Sequence, residues 1–274
     1  MTELQETMQP PTTATSVRDN TAANKPNPGR RWTVVMAVLL AVAPLLYTAA
    51  RREVSRWYLA AANDATYRED HTASLEEIQK ALEWNPGDPE LRVREIGAWL
   101  RLGKAHKAAA ESDDYLKRVE GQYAKIPTDR NKANLITALN QSAYSHALAN
   151  TDLEQALKNV SRSIRMFPGD SSLIDTRGYL HHLLGNNEDA IKDTELAVAI
   201  FRRRIQDEKL DQQDTRLFVD KTKIESMKRD QNETLAVLMH HRGLAYEAVG
   251  RTDEATGDFE MAEELGYDPE NGVW

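Results

Sequence analysis

From about residue 53 onward, apolar residues recur every three or four positions, as at Leu153, Leu157, Val160 and Ile164, with charged residues between them. That spacing places them on one face of an α-helix. Short breaks at Gly, Asn and Pro cut the pattern into helix-length pieces. Two stretches depart from it. Residues 1–31 hold four of the ten prolines and show no apolar periodicity. With no surface to bury, they cannot offset the entropy of ordering and read as a disordered tail. Residues 32–50, "WTVVMAVLLAVAPLLYTAA", are nineteen in a row without a charge. At about 1.5 Å per residue such a helix reaches roughly 28 Å, close to the thickness of a bilayer core.

The flanks of this span fit a membrane. Arg30 and Arg31 precede it, and Arg51 and Arg52 follow. Trp32 and Tyr47 lie near its ends, where amphipathic rings prefer the interface. Pro44 is tolerable in a membrane helix. The span therefore predicts a single-pass signal anchor. The rival is a leader cleaved after "TAA" at Thr48–Ala50, giving an exported soluble protein. Arg18, Lys25, Arg30 and Arg31 before the span outnumber Arg51, Arg52 and Arg56 after it by one, a slight lean toward a repeat domain on the exported side.

The pieces after residue 53 repeat. Gly103 stands five residues before Ala108, Gly185 before Ala190, and Gly250 before Ala255. Seven residues upstream of the last two glycines are Gly178 and Gly243; the first unit has Gly97, six upstream. Ser74 to Ala108 and Ala156 to Ala190 are each 34 residues, with Pro86 and Pro168 both twelve after the start of the interval. Ala108 to Ala156 exceeds the period by 14 and Ala190 to Ala255 by 31, so inserts fall near 117–134 and 201–231. Each unit predicts a helix, a turn at Gly or Asn in the left-handed region, a second helix, and a Pro or Gly stop. Asp or Thr in "NTDLEQAL" and "GRTDEATG" is expected to cap the second helix. Pro127 with Thr128 and Asp129 predicts a stop and a new cap. The second insert predicts two lengthened helices meeting near Leu210–Asp214.

Gly243, Tyr246, Ala255, Phe259 and Ala262 in the last unit carry a pattern that resembles the tetratricopeptide repeat (TPR) family. The unit of Gly178 keeps Ala190 and Ala197; the unit ending at Pro168 has Tyr144 at the first small position; the unit ending at Pro86 keeps mainly its second helix. The resemblance implies an all-α fold, an α-solenoid of about five helix-turn-helix repeats over residues 53–268, with a short tail at 269–274. It also implies a scaffold that binds a protein or peptide along a concave face lined by the first helices. Mapped here, that face includes Arg94, Arg101, Gln141, Ser145, Asp175, Tyr179, His182, His240 and Glu247. The basic clamp some relatives use for a C-terminal carboxylate is lacking, since Asp175 and Glu247 stand where cations are needed.

Composition narrows the chemistry. A net charge of −8 gives no basic footprint for nucleic acid. Zero cysteines exclude disulfides, thiolate zinc sites and a cysteine nucleophile. His181–His182 and His240–His241 are adjacent pairs, and helical neighbours point about 100° apart, so neither pair readily chelates one ion. No phosphate loop or serine elbow occurs. No cofactor, metal or catalytic residue is expected; an enzyme built on the groove histidines is the remaining alternative. "RRR" at Arg202–Arg204 reads as a solvated face or a docking arm.

Overall fold

The computed structural model describes residues 28–214 and 221–267. Among them there are ten α-helices and no strand: α1 Pro28–Tyr67, α2 His71–Trp84, α3 Pro89–Arg101, α4 Ala105–Lys125, α5 Asp129–Ala149, α6 Leu153–Met166, α7 Ser171–Leu183, α8 Asn187–Asp214, α9 Lys221–Glu247 and α10 Thr252–Glu264. The chain divides into two units, 1–49 and 50–274. Residues 1–27 of the expected tail and the short tail at 269–274 lie outside the described residues, as do 215–220; α8 runs on through Leu210–Asp214, where the two lengthened helices were expected to meet.

In the first unit, α1 starts at Pro28, four residues before the uncharged stretch, and takes in all of it. The helix is long and apolar enough to cross a membrane. Its side chains from Val35 to Ala50 stand exposed, with Leu40 at 72% and Leu45 at 68%. Thr48 keeps its hydroxyl satisfied within the helix by donating to Leu45 O at 2.9 Å.

The second unit is a stack of helical hairpins. Residues 51–67 of α1 pair antiparallel with α2: Arg51 Nε donates to Trp84 O at 2.6 Å, Ser55 to Ala81 O at 3.1 Å, and Thr66 meets Ser74 at 2.7 Å. The hairpins α3/α4, α5/α6, α7/α8 and α9/α10 follow, each packed on the next. The register residues Ser74, Ala108, Ala156, Ala190 and Ala255 are all buried where the helices cross. A Cβ on Gly178 would stand 2.8 Å from Thr194, and one on Gly243 2.6 Å from the Phe259 ring, so both positions need the missing side chain. Gly97 differs: nothing lies within 4 Å of its added Cβ. The crossing position in that hairpin belongs to Ile96, buried at 1%, which explains the odd six-residue spacing to Gly103.

The turns between first and second helices are left-handed as expected, with φ of 75° at Gly185, 76° at Gly250 and 51° at Asn150. The expected caps after them do not form. Asp152 has φ 47°, outside the extended conformation that aims an N-cap side chain at the next amides, and makes no capping bond. In α10 the cap position is Arg251, which has no acceptor, and Thr252 is already helical. Side-chain caps occur instead at Asp70, Asp88, Thr128 and Asp170. Thr128, after Pro127, accepts from Asn131 N at 3.2 Å, as its sequence context predicts.

Among the described residues, both inserts lengthen the helices that flank them. α4 and α5 have 21 residues each, against 14 in α6 and 13 in α7. α8 and α9 have 28 and 27. The arginine run lies on an exposed face of α8, where Arg203 and Arg204 approach Asp207 and Glu208 one turn on at 3.9 and 3.7 Å.

One device was missed at sequence level. Arg177 binds Asp193 through two 2.6 Å hydrogen bonds, and Arg242 binds Asp258 at 2.7 and 2.6 Å. Both pairs join the first helix of a hairpin to its second. The signal was present: an Arg directly before Gly178 and Gly243, with an Asp sixteen residues on in both cases.

Candidate functional site

The first helices form a continuous layer, since α5 touches α3 and α7, and α7 touches α9. A cavity of about 200 Å³ opens between α5, α7 and α9, lined by Asn140, Tyr144, Asp175, Glu233, Thr234 and Val237 among others. The lengthened α9 also reaches the far end of the stack. The Arg229 guanidinium lies 5.0 Å over the Tyr67 ring at the end of α1, and Gln231 donates to Glu208 of α8 at 2.8 Å.

The nine residues mapped to the concave face meet different fates. Arg94 is exposed and binds Asn63 at 2.7 Å and Glu90 at 3.0 Å. Arg101 is half-buried in a smaller cavity between α1, α2 and α3. Burial pushes its guanidinium below the ordinary value, Glu233 opposing and Arg94 adding to the effect. Gln141 is half-buried and Glu247 exposed. Ser145 is fully buried, so it presents nothing to a ligand arriving from solvent.

Asp175, Tyr179 and the second histidine pair come together, in a way the sequence did not foretell. His241, rather than His240, faces α7. Its Nδ1–H donates to Asp175 Oδ2 at 2.8 Å, with both residues buried. Tyr179 stacks on the same imidazole, centroids 4.2 Å apart and planes 7° apart, and Tyr144 lies edge-on at 6.2 Å. Burial, and secondly the Asp175 charge, raise both tyrosine hydroxyls, Tyr144 well above its usual value. His240 points the other way, stacked on Tyr267 at 4.1 Å and beside Phe259 at 5.5 Å. The missed cue was register: His240 holds the Asp175 position of its own hairpin, so His241 is turned about 100° toward the preceding one.

His240 makes a testable electrostatic point. Burial, and then the neighbouring His241 and His182, lower its pKa from 6.5 to about 4. The unfolded chain takes up this proton near pH 6.5, while the folded chain resists it until about pH 4. Acidification through that window therefore favours the unfolded state, and the contribution is complete only above about pH 6.5. His182, lowered by burial and by His241, acts in the same sense. The melting temperature is expected to fall between about pH 7.5 and 5, and to fall less in His240→Gln. An unchanged slope in that variant would contradict the assignment.

A second polar group joins α4 to α5. His146 Nε2 contacts Asp113 at 3.1 Å and its Nδ1 meets Thr151 at 2.9 Å; Ser142 donates to Asp113 at 3.0 Å. Serine, histidine and aspartate meet here, but the serine bonds the carboxylate rather than the imidazole. That order does not activate a nucleophile, which needs the base on the hydroxyl. At the other dyad, His241 is 3% exposed and has no face open to a substrate. Among the described residues no group of three or more His, Asp or Glu is placed to hold a metal ion.

The architecture is similar to that of solved structures. A thermophilic TPR protein from Thermus thermophilus superposes with a TM-score of 0.50 at 19% identity, over 77% of this chain and 91% of that one. The APC/C hetero-tetramer Cut9–Hcn1 superposes with a TM-score of 0.53 at 12% identity, over 86% of this chain and 36% of that one. MamA 41-end from Desulfovibrio magneticus RS-1 gives 0.45 at 16% identity, over 77% and 94%. No family model matches the chain, and the sequence matches no curated protein. The fold is an α-solenoid of TPR-like helical hairpins.

Proposed function

We propose that this chain is a membrane-anchored, non-catalytic scaffold that holds a protein or peptide segment along the face of its first helices. The observation that carries the reading is the cavity between α5, α7 and α9, which sits on that face and mixes apolar wall with polar side chains. Such a surface offers area for a bound segment and hydrogen bonds to fix its register. Elsewhere on the first helices Arg94, Gln141, His182 and Glu247 keep exposed or half-exposed side chains. Asp175, in the cavity wall, and Tyr179 join α7 to α9 through His241. The uncharged exposed stretch of α1 supports the anchor.

Photo-crosslinking from single positions tests the binding face. A crosslinker at Gln141 or Thr234 is expected to capture a partner, and one at Leu196 or Glu260, on the second helices, to capture none. Equal capture from both sets would overturn the reading. The anchor has its own test: carbonate washing is expected to leave the full chain in the membrane pellet, and deletion of residues 1–52 to release a helical soluble protein.

A further inference from the structure

The smaller cavity, about 180 Å³ between the end of α1, the first half of α2 and α3, has a one-sided lining. His71, Arg94 and Arg101 line it, and among the described residues no carboxylate does. Arg101 stands apart from Arg177 and Arg242, which are each clamped by a carboxylate. It is half-buried, and among the described residues it has no hydrogen bond and no ion pair. Glu233 of α9 is the carboxylate whose charge reaches it, from beyond ion-pair distance. A guanidinium withdrawn from water without a partner is unfavourable, and a bound anion would relieve it.

The groups around Arg101 add donors. Nδ1 of His71 is buried and has no hydrogen-bond partner among the described residues. Burial, and then Arg101, lower the pKa of this histidine, against Glu69 and Asp70. In the neutral ring Nδ1 can carry the proton and donate it. Arg94 lies seven residues before Arg101, about two turns along the same face of α3. Its Nη1 donates to Asn63 Oδ1 at 2.7 Å, which leaves the Asn63 amide nitrogen as a further donor. Glu90, 63% exposed, holds the other side of Arg94 only as a screened surface pair. Gly97 completes the cavity. Hairpin packing does not require it, yet it lines this space, and nothing lies within 4 Å of a Cβ added there.

We propose that this cavity is a phosphate-binding site, with Arg101 as its principal ligand and Arg94, His71 and Asn63 as further donors. The phosphate is either the free ion or a group borne on a phosphorylated side chain. Two features favour phosphate over carboxylate. The donors come from three helices and so approach from different planes, which suits tetrahedral oxygens better than the two coplanar oxygens of a carboxylate. Two guanidiniums also match the charge of about −1.5 to −2 on a phosphate monoester. The site depends neither on the membrane anchor nor on the cavity between α5, α7 and α9.

Melting of the full chain in detergent at neutral pH tests it, with sodium phosphate titrated at constant ionic strength. The melting temperature is expected to rise and saturate with phosphate, and to show no such rise with sodium acetate or sodium chloride. Arg101→Met should abolish the rise. Without phosphate it should melt no lower than wild type, because the stranded charge leaves with the side chain. Gly97→Leu, which fills the space and keeps every donor, should abolish the rise as well. Arg94→Gln, at an exposed position, should need at least about tenfold more phosphate for half the effect, as for a lost hydrogen bond to a charged group. The peptide Ala–phosphoserine–Ala distinguishes the sources: half-saturation below that of inorganic phosphate identifies a phosphorylated side chain as the ligand, and at or above it the free ion. No rise in wild type overturns the proposal. An equal rise with acetate overturns the choice of phosphate. A rise retained in Arg101→Met or Gly97→Leu means that phosphate binds elsewhere, and overturns the site.

Discussion

Asp258→Ala is expected to lower unfolding free energy by about 2–4 kcal/mol, the range for breaking a buried ion pair reduced for slight exposure. The Arg242 and Asp258 side chains are 17% and 6% exposed, and two parallel hydrogen bonds join them. Removing the carboxylate leaves a guanidinium desolvated without its partner. The Tyr246 ring, 5.6 Å from it, and the Met239 sulfur at 3.8 Å compensate weakly. If the loss comes from that stranded charge, replacing both members, as Arg242→Met with Asp258→Leu, should recover much of it. Exposed pairs set the scale: Arg56 and Glu53 are 71% and 70% exposed, and Glu53→Gln should cost less than about 0.5 kcal/mol. Urea denaturation of the full chain in detergent compares the three. A double variant no better than Asp258→Ala would show that the pair stabilises through packing instead.

The same pair illustrates what the sequence could show. The 34-residue register was legible because the crossing of two helices in one hairpin is a local steric demand. Gly178 and Gly243 have no alternative when Thr194 and Phe259 lie against their Cα atoms. Left-handed turns at Gly185 and Asn150 are equally local. Gly97 misled because a glycine one position off the crossing looks the same in a string of letters. The caps misled because a capping residue must also hold an extended backbone, and Asp152 does not. The arginine clamps were missed although their spacing repeats, because a charged residue beside a glycine ordinarily reads as solvent-facing.

The candidate face was legible only as a list of positions. Helical register says which side chains leave a first helix toward the groove. It does not say how far the next hairpin overlaps them. Ser145 and Asp175 lie on the mapped face and are nevertheless buried. The second insert separates α7 from α9 by many residues in sequence, yet its described residues are helix, and α7 and α9 are in contact. Whether His240 or His241 would meet α7 depended on that contact, which no local pattern encodes.

Asp175→Ala should therefore act on stability first, lowering it by about 2–3 kcal/mol, the cost of stranding a buried hydrogen-bonding group. His241 Nδ1–H would lose its acceptor while 3% exposed, enclosed by the Tyr179 ring stacked on its own. Asp175→Asn should cost clearly less, because an amide oxygen can still accept from that nitrogen. Tyr179→Ala should destabilise as well, through the lost stack, worth about 0.5–1.5 kcal/mol beyond its buried area. Arg94→Ala, at an exposed position of the same face, should change stability by less than about 0.5 kcal/mol. These values separate two roles within one surface. A residue that binds a partner should lose capture with the fold intact, as expected for Arg94 if the groove is used. A residue that joins two hairpins should lose capture only as it loses stability, as expected for Asp175 and Tyr179. Thermal melts beside crosslinking from Thr234 would distinguish them. Wild-type melting in both Asp175 variants would mean that the Asp175–His241 bond does not hold α7 to α9, and would return Asp175 and Tyr179 to the list of groups free to bind a partner.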